Sequence, residues 1–196
     1  MAQGLDRLAA LRRSVPEPDD ARIYPGWYAP VMVWQDGRRV VLPMRYQCRL
    51  AGKPADYDRR FPGTYNARRD NLEGFWRAQF GRTHAVMLAK RFYENVRRED
   101  GTNVVLEFAP QGLDTMLVAC LWSCWTGPGG EELLSFAAIT DEPPPEVAAA
   151  GHDRCIVPLK AEHVDAWLRP DPKDLQAQYA ILDDRERPYY EHRLAA

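Results

Sequence analysis

His152, Asp153 and Arg154 stand together in residues 149–159, where the small residues Ala149-Ala150-Gly151 open into the apolar run Cys155-Ile156-Val157-Pro158-Leu159. Such a run reads as a buried strand, which places an imidazole and two charges at a strand entrance. An imidazole titrates near neutrality and can take or give a proton there, although a hydrogen-bonded structural histidine fits the same pattern. Glu94 is the second candidate. It lies in Arg91-Phe92-Tyr93-Glu94-Asn95-Val96, where half-desolvation in an aromatic strand would raise its pKa and suit it to proton transfer. Its alternative is an outward-facing strand residue. Asn66 and Arg68 form a third group, just ahead of a helix start, where free N–H groups and the helix dipole favour anions. An asparagine before a helix also serves as an ordinary turn residue.

These side chains need a scaffold, and the periodicity supplies one. Residues 31–34, the turn Asp36-Gly37 and residues 38–42 have the pattern of a β-hairpin. Residues 44–63, rich in Arg, Gly, Pro and Tyr, read as a long irregular loop. Asp70 and Glu73 resemble a capping box opening a helix whose apolar face is Leu72, Phe75, Trp76 and Phe80, ended by Gly81. Strands are expected over 85–89, 91–96, 104–108, 116–122 and 133–140. The stiff turn Asp141-Glu142-Pro143-Pro144-Pro145 then breaks the sheet. Short amphipathic helices are expected over 4–14, 162–168 and 173–182, with the charged tail 183–196 packed on the surface. With no repeat and no long linker, residues 1–196 read as one mixed α+β domain with a largely antiparallel sheet.

The 196 residues, 45% hydrophobic and 11% aromatic, suit a single core without staples. No apolar run approaches the roughly 18 residues of a membrane span, and the first residues lack a signal peptide's apolar block, so a cytoplasmic protein is expected. Cys48, Cys120, Cys124 and Cys155 lack CxxC spacing and read as free thiols, with neither zinc nor disulfides; no cofactor motif is present. The net charge of -2 hides an asymmetry: residues 38–98 hold 15 basic and 5 acidic side chains, residues 99–196 hold 7 and 18. A basic middle beside Phe75, Trp76, Phe92 and Tyr93 suits single-stranded nucleic acid. It equally suits a basic face paired with the acidic half of the same chain.

Taken in order, Tyr65-Asn66-Ala67-Arg68, Phe92-Tyr93-Glu94, Ile139-Thr140, Gly151-His152-Asp153-Arg154 and Val157-Pro158-Leu159 resemble the SOS response-associated peptidase (SRAP) family from about residue 23 to 168. The resemblance implies a barrel-like core with flanking helices and a protein that recognises abasic sites in single-stranded DNA and attaches covalently to them. It implies Asn66, Glu94 and His152 as active-site residues, Arg68 and Arg154 as DNA contacts with Arg69 beside them, and Thr140 near the lesion. Bound to DNA, such a protein would associate with the nucleoid. The family's nucleophile is a cysteine at position 2, exposed by removal of the initiator methionine. Position 2 here is Ala2, so the chain is expected to lack the family's N-terminal segment and to be impaired in lasting crosslinking. Non-covalent binding of single-stranded DNA is the alternative. A thiol peptidase built from Cys155 and His152 is disfavoured, because Cys155 reads as core.

Overall fold

Residues 28–46 form the expected hairpin. In the computed structural model, which describes residues 22–98 and 100–195, β1 (Tyr28–Gln35) and β2 (Arg38–Tyr46) pair antiparallel. Asp36 at φ 52° and Gly37 at φ 76° make the two-residue left-handed turn that matches the strand twist. The helix expected over residues 4–14 lies outside the described residues.

After the short helix α1 (Tyr57–Arg60), the chain adds β3 (Asn66–Arg68), β4 (His84–Ala89), β5 (Phe92–Arg97), β6 (Asn103–Pro110), β7 (Met116–Thr126) and β8 (Glu132–Asp141). Strands β7, β4, β1, β2 and β8 are neighbours in that order, and β7 pairs with β8, closing a five-stranded barrel. Closure leaves those strands no free ladder to recruit another chain. The β2–β8 seam is parallel and short, Arg45↔Ser135 and Tyr46↔Phe136. β3 extends it, parallel to β8 through Asn66↔Ala138 and Arg68↔Thr140.

Pro143 and Pro144 carry no N–H for a ladder, so β8 gives way to α2 (Pro145–Ala149), with proline at its first turn. The apolar run that follows enters where β7 and β8 splay apart. β9 (Cys155–Ile156) pairs with β8, and β10 (Pro158–Leu159) with β7. Between them the Val157 N–H donates to the Ile139 carbonyl at 3.1 Å, and the Val157 carbonyl accepts from the Ala119 N–H at 2.9 Å.

The tail packs on the surface as expected, and it does so as a strand: β11 (Tyr190–Leu194) forms one edge of a second antiparallel sheet, β11-β6-β5. Tyr190 is buried edge-on against Phe92, and its N–H donates to Glu146 Oε1 at 3.0 Å. That one buried ring anchors a strand whose other four residues are exposed. Glu107 braces this sheet by accepting from Arg91, Arg193 and the Tyr93 hydroxyl.

Two apolar cores result. One fills the space between the barrel and the second sheet, with Val31, Phe92, Phe108, Met116 and Phe136. The other lies under the helices α3 (Val164–Leu168) and α4 (Leu175–Asp183), with Leu72, Trp76, Phe80, Trp167 and Leu182. Each such side chain contributes about 1.5–3 kcal/mol. His84 is buried there, and desolvation pushes its pKa down to about 3. The neutral ring donates from Nδ1 to the Trp167 carbonyl at 3.0 Å and accepts the Gly81 N–H at Nε2, 2.8 Å away.

The helix expected after Asp70 is corrected. Residues 69–71 form a 3-10 turn, and residues 72–82 continue as irregular turns, with Trp76 N–H donating to Asn71 and Phe80 N–H to Trp76. The apolar spacing correctly marks Leu72, Trp76 and Phe80 as buried, but Phe75, expected on the same face, is 39% exposed. The capping box does not form, because the Asp70 carboxylate is taken by Arg68, while Asn71 Oδ1 accepts the Phe75 N–H at 3.0 Å.

Candidate active site

The histidine loop is brought to β5 by a glycine. Gly151 has φ +97°, and a Cβ there would lie 2.8 Å from Val96 Cγ1, so only glycine lets the loop cross the second sheet this closely. The crossing places His152 Nε2 3.0 Å from Glu94 Oε2, with both side chains about one-fifth exposed. On its other side, His152 Nδ1 lies 2.8 Å from the Arg154 carbonyl and 3.3 Å from the Arg154 N–H. The carbonyl is the nearer partner and needs a proton on Nδ1. With an acceptor at each nitrogen, the ring is favoured in its doubly protonated form. The Glu94 carboxylate accordingly raises the His152 pKa above its ordinary value, outweighing the opposing effect of partial burial. An imidazole held against a carboxylate in this way can pass a proton to or from a bound reactant, which is general acid–base chemistry.

The neighbouring strands add polar groups in register. Asn66 and Arg68, two apart on β3, share a face, and buried Ala67 between them packs into the helix-side core. Thr140 pairs with Arg68 across β3–β8 and with Ile156 across β8–β9. It is 2% exposed, and its hydroxyl has no hydrogen-bond partner among the described residues. Arg154 directly precedes β9, so Arg68, Thr140 and Arg154 lie across three adjacent strands or strand ends. The structure therefore gathers Asn66, Arg68, Thr140 and Arg154 at one end of the β3–β8–β9 ladder, with the Glu94–His152 pair reached through the loop that carries Arg154.

Asp70 links the two arginines. Its carboxylate takes Arg68 through two contacts, 2.6 and 3.1 Å, and lies 3.5 Å from the Arg154 guanidinium. The hydrogen bond from Arg68 holds the Asp70 pKa below the usual carboxylate range. Arg154 Nε is buried without a partner among the described residues. Asp70, expected to cap a helix, sits in the 3-10 turn that follows β3, and that turn folds its carboxylate back onto Arg68.

Arg69 points elsewhere. Its guanidinium is held by Asp141 at 3.0 Å and by Asp183, and lies over the Tyr179 ring. Arg185 reaches the same Asp141 oxygen at 2.7 Å. Burial acts to raise the Asp141 pKa, and the arginines outweigh it, holding that carboxyl low. Arg69 thereby ties the start of the 3-10 turn to the end of β8 and to α4.

Tyr46 was not anticipated. It stacks on Phe136 and meets Tyr65 edge-on, and burial, with the nearby Glu94 charge, raises its phenol pKa. Cys155 is buried, and desolvation pushes its thiol up to about 12, so it is no thiolate nucleophile at neutral pH. Among the described residues, no three His, Cys, Asp or Glu side chains are grouped to hold a metal ion, and no helix is long and apolar enough to cross a membrane.

A five-stranded barrel backed by a three-stranded sheet, with an imidazole–carboxylate pair between them and arginines at the rim, defines a small α+β protein equipped for proton transfer beside an anion. The sequence profile of the SOS response associated peptidase (SRAP) family matches residues 6–194, and the chain belongs to that family. Membership supports a peptidase role associated with DNA damage, with DNA as the partner class. No protein of curated function matches the sequence significantly. Solved structures share the fold. A protein from Bordetella bronchiseptica is 18% identical, with 96% of this chain and 95% of that one covered at a TM-score of 0.72. A protein from Bacteroides thetaiotaomicron is 15% identical, with 96% and 88% covered at 0.68. A phage-related protein from Bordetella bronchiseptica is 16% identical, with 94% and 88% covered at 0.64.

Proposed function

We propose that this chain processes abasic sites in single-stranded DNA. The observation that carries the reading is the Glu94–His152 pair, 3.0 Å apart, set beside the arginines Arg68 and Arg154. A ring-opened abasic sugar presents an aldehyde. An amine adds to its carbon and water leaves, giving an imine, and each step moves a proton that the pair can carry. His152 assists opening of the sugar ring, Glu94 shuttles protons at the carbon under attack, and Asn66 holds the attacking terminus. The buried Thr140 hydroxyl, without a partner among the described residues, suits a polar atom of the lesion. A phosphate suits the place of the Asp70 carboxylate between Arg68 and Arg154.

The amine this sequence offers is the α-amine of Ala2 after removal of Met1. An α-amine ordinarily titrates at about 7.7–8.0, so part of it is neutral near pH 7. An imine without a neighbouring thiol hydrolyses or loses the 3′ phosphate by β-elimination, so weak strand cleavage is expected in place of a lasting crosslink.

The test is incubation of the purified chain with single-stranded DNA carrying one abasic site, with and without borohydride, followed by a denaturing gel. A borohydride-dependent shifted band supports the reading. DNA retained in a native gel with no trapped adduct sinks the covalent step and leaves a non-covalent single-stranded DNA-binding module.

A further inference from the structure

Asp183-Asp184-Arg185-Glu186-Arg187 is an unbroken run of charges between α4 and β11, and such a run ordinarily stays in water. Arg185 leaves it. Its side chain is 13% exposed, and Nη2 lies 2.7 Å from Asp141 Oδ2. The same oxygen accepts from Arg69 Nη1 at 3.0 Å, and Asp183 takes the other arm of Arg69. Next to Arg185, the Glu186 N–H donates to the Pro158 carbonyl at 3.0 Å. Residues 183–186 thereby fasten the end of α4 to the turn after β3, the end of β8 and β10. A buried ion pair often adds no more stability than apolar side chains of similar volume, so the inward charge calls for a further role.

Two members of this junction each follow a residue of the site. Arg69 follows Arg68 and Asp141 follows Thr140, and Arg68 and Thr140 are partners across the β3–β8 ladder. Successive side chains of a strand point to opposite faces, so Asp141 faces away from anything lying against Thr140. It can act on that face only through the strand. Asp141 is the last residue of β8, and Pro143 and Pro144 beyond it offer no N–H to continue a ladder. The junction therefore holds the very end of the strand. Thr140 depends on it, because its hydroxyl has no hydrogen-bond partner among the described residues, and the position of the strand sets where that hydroxyl lies.

We propose that Arg185 is a positioning residue for the abasic-site chemistry: through Asp141 it fixes the end of β8, and with it the place of the Thr140 hydroxyl against the lesion. This rests on the function proposed above and adds to it a residue that does not touch DNA. A displacement of about 1 Å can cost a reaction about 100-fold. Asp141 keeps Arg69 when Arg185 is removed, so a smaller loss, about 10-fold, is expected.

The test is a double-substitution cycle read as the rate of borohydride-trapped adduct formation on single-stranded DNA with one abasic site, at saturating DNA so that affinity does not enter. Arg185→Ala is expected to slow trapping about 10-fold. Arg185→Lys, which keeps a charged contact with Asp141, is expected to restore most of the rate. In a Thr140→Val background, itself slowed, Arg185→Ala is expected to change the rate less than about 2-fold, because the group it positions is gone. Circular dichroism melts establish that each variant is folded at the assay temperature. If Arg185→Ala is not, Arg185→Gln, which keeps a hydrogen bond to Asp141, runs the same cycle with an expected loss of about 3-fold in the Thr140 background only. An unchanged rate in the Arg185 variants, the same loss in both backgrounds, or a Thr140→Val variant that traps as fast as the unaltered protein overturns the positioning role and leaves Arg185 a structural brace. Failure of the unaltered protein to form any trapped adduct overturns the abasic-site reading itself, and this inference with it.

Discussion

His152 Nε2 lies 3.0 Å from Glu94 Oε2, joining a loop that leaves the barrel's β8 to a strand of the second sheet. The contact therefore depends on how the two sheets are docked as well as on either residue. It also separates two roles that are often confounded, because a residue that moves protons and one that grips phosphate answer differently to substitution.

Glu94→Gln retains shape and hydrogen-bonding capacity and removes only the ability to ionise. Borohydride-trapped adduct formation on abasic single-stranded DNA is expected to slow by about 100-fold or more, with affinity for a stable abasic analogue unchanged. Equal losses in trapping rate and affinity would assign Glu94 to binding.

The His152 pKa is raised in the folded protein by the Glu94 carboxylate. A raised folded value means the native state holds its proton more tightly than the unfolded chain. The resulting stability is fully present below the unfolded value of about 6.5 and is lost as pH rises through the higher folded value. The Tm difference between the unaltered protein and His152→Asn, followed from pH 5.5 to about 9, is expected to shrink across that interval. A constant difference would mean that the pair is not proton-linked.

The hairpin, β4 to β8, the apolar run that forms β9 and β10, and the two C-terminal helices are legible because alternation and 3.6-residue spacing report directly on burial. The turns at residues 72–82 were misread as a helix because Leu72, Trp76 and Phe80 are spaced for burial, and burial does not require regular hydrogen bonding. β11 was missed because four of its five residues are exposed and it depends on a distant partner, β6. Glu94 and His152 could be named one by one from residue type, but no local pattern shows that they touch. That knowledge resides in Gly151 passing against Val96.

Gly151→Ala tests that passage. The added Cβ lies 2.8 Å from Val96 Cγ1, and φ +97° is strained for any side chain, so a loss of about 1–3 kcal/mol in unfolding free energy is expected. Adduct formation should fall further than the stability loss explains, because the loop carries His152 away from Glu94. Adding Val96→Ala relieves the clash but not the backbone strain. It should therefore restore part of the stability, and chemical denaturation of the three variants measures the split.

Asp141 holds Arg69 and Arg185 together and is 8% exposed. Asp141→Asn leaves two guanidinium groups short of a charge, and a destabilisation of about 3 kcal/mol is expected, near the lower end for broken buried pairs because Arg69 keeps Asp183. The folded Asp141 pKa is depressed, so its contribution exists above the unfolded value of about 3.9 and is lost as pH falls through the folded value. Urea titrations at pH 7 and pH 3 should show a smaller difference between variant and parent at the lower pH.

Asp70 lies between Arg68 and Arg154, where the proposed function places a phosphate. An acid there competes with DNA for both guanidiniums and repels the backbone. Since Asn71, not Asp70, accepts the nearby Phe75 N–H, Asp70→Asn should fold normally. Removing the competitor is expected to raise affinity for single-stranded DNA about 3-fold and to steepen the dependence of log affinity on log salt by about 0.7, as one more phosphate contact becomes effective. Anisotropy titrations at several salt concentrations measure both quantities. Weaker binding with a flatter salt dependence would mean that Asp70 aligns the arginines and does not block them, and the phosphate would then have to be placed on the outer face of Arg68.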